Sequence, residues 1–457
     1  MASRLEKEGA FAPSFFCFSA GAVVGLAVSF LLMVQPFFLF FGLHPYDHQR
    51  FVEIIFLASA FLFFFPFVSV VRAPKEFLVI VLISIFSVFY GRAGLVGWVQ
   101  EMRFFFWAFF LGVFPFYWSF LSVALKKMVS ALVFLGLVFY AFYVVFGAFF
   151  LLAKGVSDSA FIISGFANIN HAAAFMVLGI FILPGVEFLL SDYRRVVVPV
   201  GLIVGGCLFF LVSIVMARGS FVAGLIALIF VMVFFKGAVK VRYCLRLFHY
   251  VVLGLTWYFF FYFDFNVLDI GSSHVAEIYR DTGRVALFKE GVAGWLDSPF
   301  LGNGPLSFSL LASVPEAHPH NLLIVSLYEY GVIFSMMAFV LLVKVGLICL
   351  KGTQRADQTI MSVAGWATIV CFLSYAQVSG LTMIAPSMLL LALATGFAFE
   401  RNILMEAGSY FMAGFSWVRG IGALVLVAVF FGLSIWYYQA ASENISGAPR
   451  FWLQGKL

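Results

Sequence analysis

The chain has 457 residues, of which 64% are hydrophobic and 11% charged, with Phe occurring 63 times. A water-soluble domain carries roughly 25% charged and about 45–50% apolar residues, so no globular core could hide this much apolar surface and the solvent must be lipid. The net charge of +6 does not imply nucleic acid, because the basic residues punctuate apolar runs instead of clustering into a groove or tail.

Apolar runs long enough to span a bilayer, roughly 17–25 residues each, recur from end to end. They predict spans over 15–41, 51–71, 76–90, 100–122, 128–152, 171–190, 196–217, 219–235 and 247–263, and then over 321–350, 359–377, 381–399 and 420–438. Met1–Ala10 is charged and leads into an apolar stretch longer than the about 7–15 residues of a signal peptide, which predicts an uncleaved first span. The fold class expected is therefore an all-α polytopic membrane protein with about 12–13 transmembrane helices. It divides into an N-terminal membrane region (1–263), a long loop (264–320) and a C-terminal membrane region (321–457). The stretch 401–419 reads as an interfacial helix or as part of a span. Lys344 reads as the one clear charge well inside a span.

With the N-terminus in the cytoplasm, Lys126, Lys127, Arg194, Arg195, Lys236, Lys240, Arg242 and Arg246 fall inside, as a positive-inside bias requires. The loops 153–170 and 264–320 then face outward. Within the second, Ile278–Trp295 carries Val285, Leu287, Phe288, Val292 and Trp295 at helical spacing, which predicts an amphipathic helix. Ser298–Pro305 reads as a turn. Cys17, Cys207, Cys244, Cys349 and Cys371 all lie in or beside apolar runs, so they form no disulfide framework.

The candidate chemistry gathers on the outer side. His320 precedes Asn321 at the start of an apolar run, and Pro319 disfavours helix at His318. A neutral imidazole at a helix N-terminus can take a proton from a hydroxyl, or it can simply cap the helix. His318 faces the loop and is a second candidate. Arg218, between two apolar runs, is costly near hydrocarbon by about 2.5–3.5 kcal/mol. It reads as an anion clamp or as a snorkelling arginine. Arg280 and Arg284, four residues apart, share one face of the loop helix. Gly302 and Gly304 form a tight turn or a phosphate cradle. Asn168, Asn170 and His171 line a sugar site or cap a span. Arg92 and Arg103 contact lipid phosphate or anchor at the interface. The carboxylates are scattered and the histidines lack zinc-ligand spacing, so a cofactor-free reaction on a phosphate-activated substrate is the simplest fit.

Four segments in order, GFANINHAAAFMVLGIFILPG (165–185), MARGSFVAG (216–224), GRVALFKEGVAGWLDSPFLGNGPLSF (283–308) and HPHNLLIVSLYEYG (318–331), resemble the O-antigen ligase and polymerase superfamily of bacterial envelopes. The ligase pattern His-[Asn/Ser/Gln]-x9-Gly-x-x-[Gly/Thr/Tyr] is met at His320, Asn321 and Gly331, and Phe334 departs from it at the last position. The resemblance implies a GT-C-like glycosyltransferase of the inner membrane with its active site facing the periplasm. Its donor would be an undecaprenyl-pyrophosphate-linked glycan and its acceptor lipid A-core. It implies that His320 is the base and that Arg218 and Arg284 hold the pyrophosphate. It also implies that Asn321, His318, Arg280, Arg92, Arg103, Asn168, His171, Gly302 and Gly304 surround the substrates, and that apolar grooves hold the lipid chains. The alternatives are a polymerase using the same donor, a protein O-oligosaccharyltransferase, a lipid-linked glycan transporter and a non-catalytic scaffold.

Overall fold

A computed structural model describes residues 24–32, 45–65, 75–91, 94–153, 166, 169–215, 217–264, 284–312, 318–353, 358–379, 384–399 and 417–442. Among these residues there is no strand. The helices in chain order are α1 (24–32), α2 (Pro45–Phe64), α3 (Lys75–Tyr90), α4 (Gly94–Phe120), α5 (Val123–Ala153), α6 (Ile169–Leu189), α7 (Arg194–Val215), α8 (Arg218–Phe234) and α9 (Gly237–Asp264). Then come α10 (Arg284–Asp297), the short α11 (Ser307–Leu311), α12 (Leu322–Thr353), α13 (Ile360–Tyr375), α14 (Ala385–Phe399) and α15 (Trp417–Ser442). Segments within α5, α6, α12 and α15, and the stretch Ser191–Val215 that contains α7, are long and apolar enough to cross a bilayer. At about 1.5 Å per residue α6 alone measures roughly 31 Å, the thickness of the hydrocarbon layer. The protein is a helical membrane protein.

Two helices form the centre. Residues 171–187 of α6 are all buried, as is every residue of α14 but Thr395. Both are apolar all round instead of striped, the pattern of a helix enclosed by other helices. α13 packs against both of them. Its Gly365 lies so close that a β-carbon there would stand 2.6 Å from Ala394 O and from Ala398 N, the kind of contact by which membrane helices approach through small residues. The outer helices instead expose large apolar side chains, including Val222, Leu225 and Ile229 on α8 and Met336 and Phe339 on α12. Lipid tails are as apolar as these side chains and cover them without cost.

The helix ends sort by charge. At one end Lys127 pairs with Asp192, and Arg246 of α9 donates to Glu187 of α6 at 2.8 Å, with Tyr250 donating to the same carboxylate at 2.7 Å. His171 occupies the opposite end of α6, within electrostatic reach of His320 just before α12. Thus the segment 236–246 and the residues proposed for chemistry lie at opposite ends of the bundle.

Not every charge sits at an end. Glu53, Glu101 and Glu329 are buried within α2, α4 and α12, so Lys344 is not alone in that position, and it is itself exposed. Each carboxylate has hydrogen-bond partners, as burial demands. Glu53 accepts from Arg103 Nε at 2.9 Å and also from Arg50 and Trp107. Glu101 accepts from Tyr330 Oη at 2.7 Å. Glu329 accepts from the backbone N–H groups of Leu306 and Phe308.

α12 is broken at Gly331, where φ is 75° and ψ is −178°. The turn 298–304 fills the gap. Val332 N–H donates to Pro299 O at 2.9 Å and Ile333 N–H to Phe300 O at 3.4 Å, while Asn303 N–H donates to Tyr328 O at 2.9 Å and Gly304 N–H to Glu329 O at 2.8 Å. Helical groups orphaned by the break are thereby satisfied by a second segment. α10 lies along the same stretch of α12. Leu287 and Gly291 form its buried face, whereas Val285 and Val292, which the helical spacing groups with the apolar face, are exposed. The contact is made instead by glycine, with Gly291 against Ile324 and Gly294 against Tyr328.

Candidate functional site

One end of the bundle brings the starts of α8 and α12 and the first described turn of α6 to the C-terminal turn of α13. Leu322 N–H, at the start of α12, donates to Ala376 O at 2.9 Å, and Asn321 Nδ2 donates to Gln377 O at 2.9 Å. Tyr375 Oη donates to Asn170 O in the first turn of α6 at 3.0 Å. Gly219, next to Arg218 in the first turn of α8, lies against Tyr375 and Val378. Arg284, the first residue of α10, is close enough for its charge to act on Tyr375. The segment Tyr375–Val378 therefore ties α6 and the starts of α8 and α12 into one region, with the Arg284 charge within electrostatic reach.

Arg218 is exposed and Arg284 half-buried at the rim of this region. His320 is half-buried on the other side of Asn321 and lies within electrostatic reach of His171 and His318, with Arg50 also acting on His171. The region thus holds the cations Arg218 and Arg284 and a group of three imidazoles, His171, His318 and His320. Helix N-termini add partial positive charge and N–H donors, which suit an anion. An imidazole at its edge can accept a proton. Among the described residues no three His, Cys, Asp or Glu side chains converge in a way that could hold a metal ion.

His320 adopts φ 54°, in the left-handed region. Its N–H donates to His318 Nδ1 at 2.8 Å, and the two rings meet edge to face with centroids 5.8 Å apart. His318 is buried, and burial, with the charges of His320 and His171 added, pushes its imidazole down to about 3. It is neutral at any physiological pH.

Other expected site residues have different roles. Asn321 caps α12, its Oδ1 accepting Ile324 N–H at 2.9 Å. With Nδ2 on Gln377, both polar atoms serve the fold. Gly302 and Gly304 do not form a phosphate cradle, because their N–H groups are spent on Ser298 O and Glu329 O, and a β-carbon on Gly304 would run into the Gly91 backbone. Arg103 is 6% exposed and committed to Glu53. It neither reaches the lipid headgroups nor snorkels, since the buried carboxylate needs its charge. Arg92, Arg280 and Asn168 lie outside the described residues.

Glu53 and Arg50 escape a reading by motif, yet an acidic residue inside an apolar run is itself a signal that a buried cation must answer it. Tyr375 carries no such signal, because nothing local marks its hydroxyl. No protein-family model, curated protein or solved structure matches the chain.

Proposed function

We propose that this protein is a GT-C-like glycosyltransferase of the O-antigen ligase kind, multi-pass in a bacterial inner membrane. It moves a glycan from undecaprenyl pyrophosphate to lipid A-core on the periplasmic side. The observation that supports this reading is that the chain next to Arg218 and His320, at Gly219 and Asn321, packs on Tyr375–Val378, with the Arg284 charge within reach of Tyr375. His320 takes the proton of the acceptor hydroxyl as that oxygen attacks the anomeric carbon. The bond from that carbon to the pyrophosphate oxygen breaks, and undecaprenyl pyrophosphate leaves with its negative charge. Arg218 and Arg284 clamp that charge, because guanidinium matches phosphate oxygens in a planar fork. The helix N-termini add N–H donors to the leaving group.

The test is transfer in vitro with purified protein, lipid-linked glycan and lipid A-core. His320→Ala should lower transfer by about 10²–10⁴-fold, the usual weight of a general base, with membrane insertion unchanged. Arg218→Lys and Arg284→Lys should restore only part of what the alanine variants lose. Unimpaired transfer by His320→Ala would end this reading, and elongation of the donor glycan without transfer to core would replace the ligase with a polymerase. A transporter of the same lipid-linked glycan is the second reading, favoured by Glu101 and Glu329 buried inside helices. Flipping of labelled donor across vesicles, without transfer, would support it.

A further inference from the structure

We propose that His318 is a positioning residue for His320, acting through the hydrogen bond from the His320 N–H to His318 Nδ1 and not by touching a substrate. The proposal rests on the glycosyltransferase reading above for its functional part. Its structural part stands on the geometry of residues 318–322.

A left-handed backbone is disfavoured at a residue bearing a β-carbon, which crowds the following carbonyl oxygen, so something must hold His320 at φ 54°. Downstream the chain is pinned, because Asn321 and Leu322 are both bonded to the end of α13. Upstream Pro319 fixes its own φ and donates no hydrogen bond. Between these two ends runs the 2.8 Å bond from the His320 N–H back to the side chain two residues earlier. This is the geometry of an Asx turn, with Nδ1 standing where an Asn or Asp oxygen would accept. Nδ1 can play that part only when it carries no proton, and the buried, neutral state of His318 secures this. The His320 imidazole is then held edge to face against His318, within electrostatic reach of His171.

The two nitrogens of His318 can be told apart by substitution. Asn places an acceptor where Nδ1 lies and nothing at Nε2, whereas Gln reaches toward Nε2 and leaves the near acceptor vacant. In the transfer assay, His318→Asn should stay within about threefold of the parent. His318→Gln and His318→Ala should lose roughly tenfold in kcat, the weight of one ordinary hydrogen bond, with the donor KM unchanged. A shift in donor KM, or rescue by Gln and not Asn, would assign His318 to direct contact through Nε2 and overturn the proposal. Deuterium exchange of the His320 amide gives a second readout that needs no activity. Protection should persist in His318→Asn and fall about tenfold in His318→Ala and His318→Gln. Equal protection in all variants would overturn the proposal even if the transfer reading itself had failed. Helical circular dichroism of each variant separates these effects from loss of fold.

Discussion

Replacing Gly331 with alanine puts a side chain where α12 is broken. The backbone there, with φ 75° and ψ −178°, belongs to a region essentially restricted to glycine, and forcing another residue into it costs about 1–3 kcal/mol. The new β-carbon would also collide with the Phe300 carbonyl and the Gly302 nitrogen. Relief requires the 299–302 segment to retreat, which breaks the bonds from Val332 N–H to Pro299 O and from Ile333 N–H to Phe300 O. At about 0.5–1.5 kcal/mol for each bond the total reaches roughly 2–6 kcal/mol. Gly346, on the same helix, supplies the control, since a β-carbon there meets nothing within 4 Å. Gly346→Ala should be neutral or stabilising by up to about 1 kcal/mol. Both variants are measured by titrating the protein in mixed micelles with a denaturing detergent and following helical circular dichroism. If the two unfold within about 1 kcal/mol of each other, the account of the break and its partner turn is wrong.

Glu53→Ala would strand Arg50 and Arg103 in the interior and should cost about 3–5 kcal/mol in the same titration. A double-mutant cycle of Glu53→Gln with Arg103→Met should show strong coupling, and simple additivity would disprove the pairing. Stability should also depend on pH through His318. Its folded value lies near 3 and its unfolded value about 6.5, so the unfolded chain takes up the proton first. Stability should therefore fall as pH drops from about 6.5 toward 3, by up to about 1.4 kcal/mol per unit. His318→Asn should flatten that slope, which unfolding at several pH values would measure.

The all-helical, apolar character of the chain was legible because hydropathy is a local property. Of the about 12–13 spans expected, five stretches among the described residues are long and apolar enough to cross a bilayer. The span expected at 128–152 is the interior of α5, that at 171–190 is α6, and that at 219–235 is α8. Errors came where charged residues were taken for loop. α2 begins at Pro45 and not at 51, and α9 at Gly237 and not at 247. In α2 the helix continues through Arg50 because Glu53, one turn on, pairs with it and with Arg103 of α4, and in α9 it continues through Arg246 because Glu187 of α6 receives it. The glycine-rich turn at 302–305 could be read as a turn, but not that its amides close a broken helix.

Composition and periodicity alone determined that the chain is a bundle of lipid-solvated helices and that its polar chemistry gathers toward one end. Arg218 near hydrocarbon and His320 at a helix start stood out locally, and Arg284 joined them only through the resemblance. Only the tertiary structure decided that the starts of α8 and α12 pack on Tyr375–Val378, that Asn321 caps α12 and bonds Gln377, that the His320 N–H donates to His318 Nδ1, and that Arg103 answers Glu53. The reason is physical. Burial in lipid is written residue by residue in apolarity, whereas the partner of a buried charge or an orphaned amide is chosen by packing between segments tens to hundreds of residues apart.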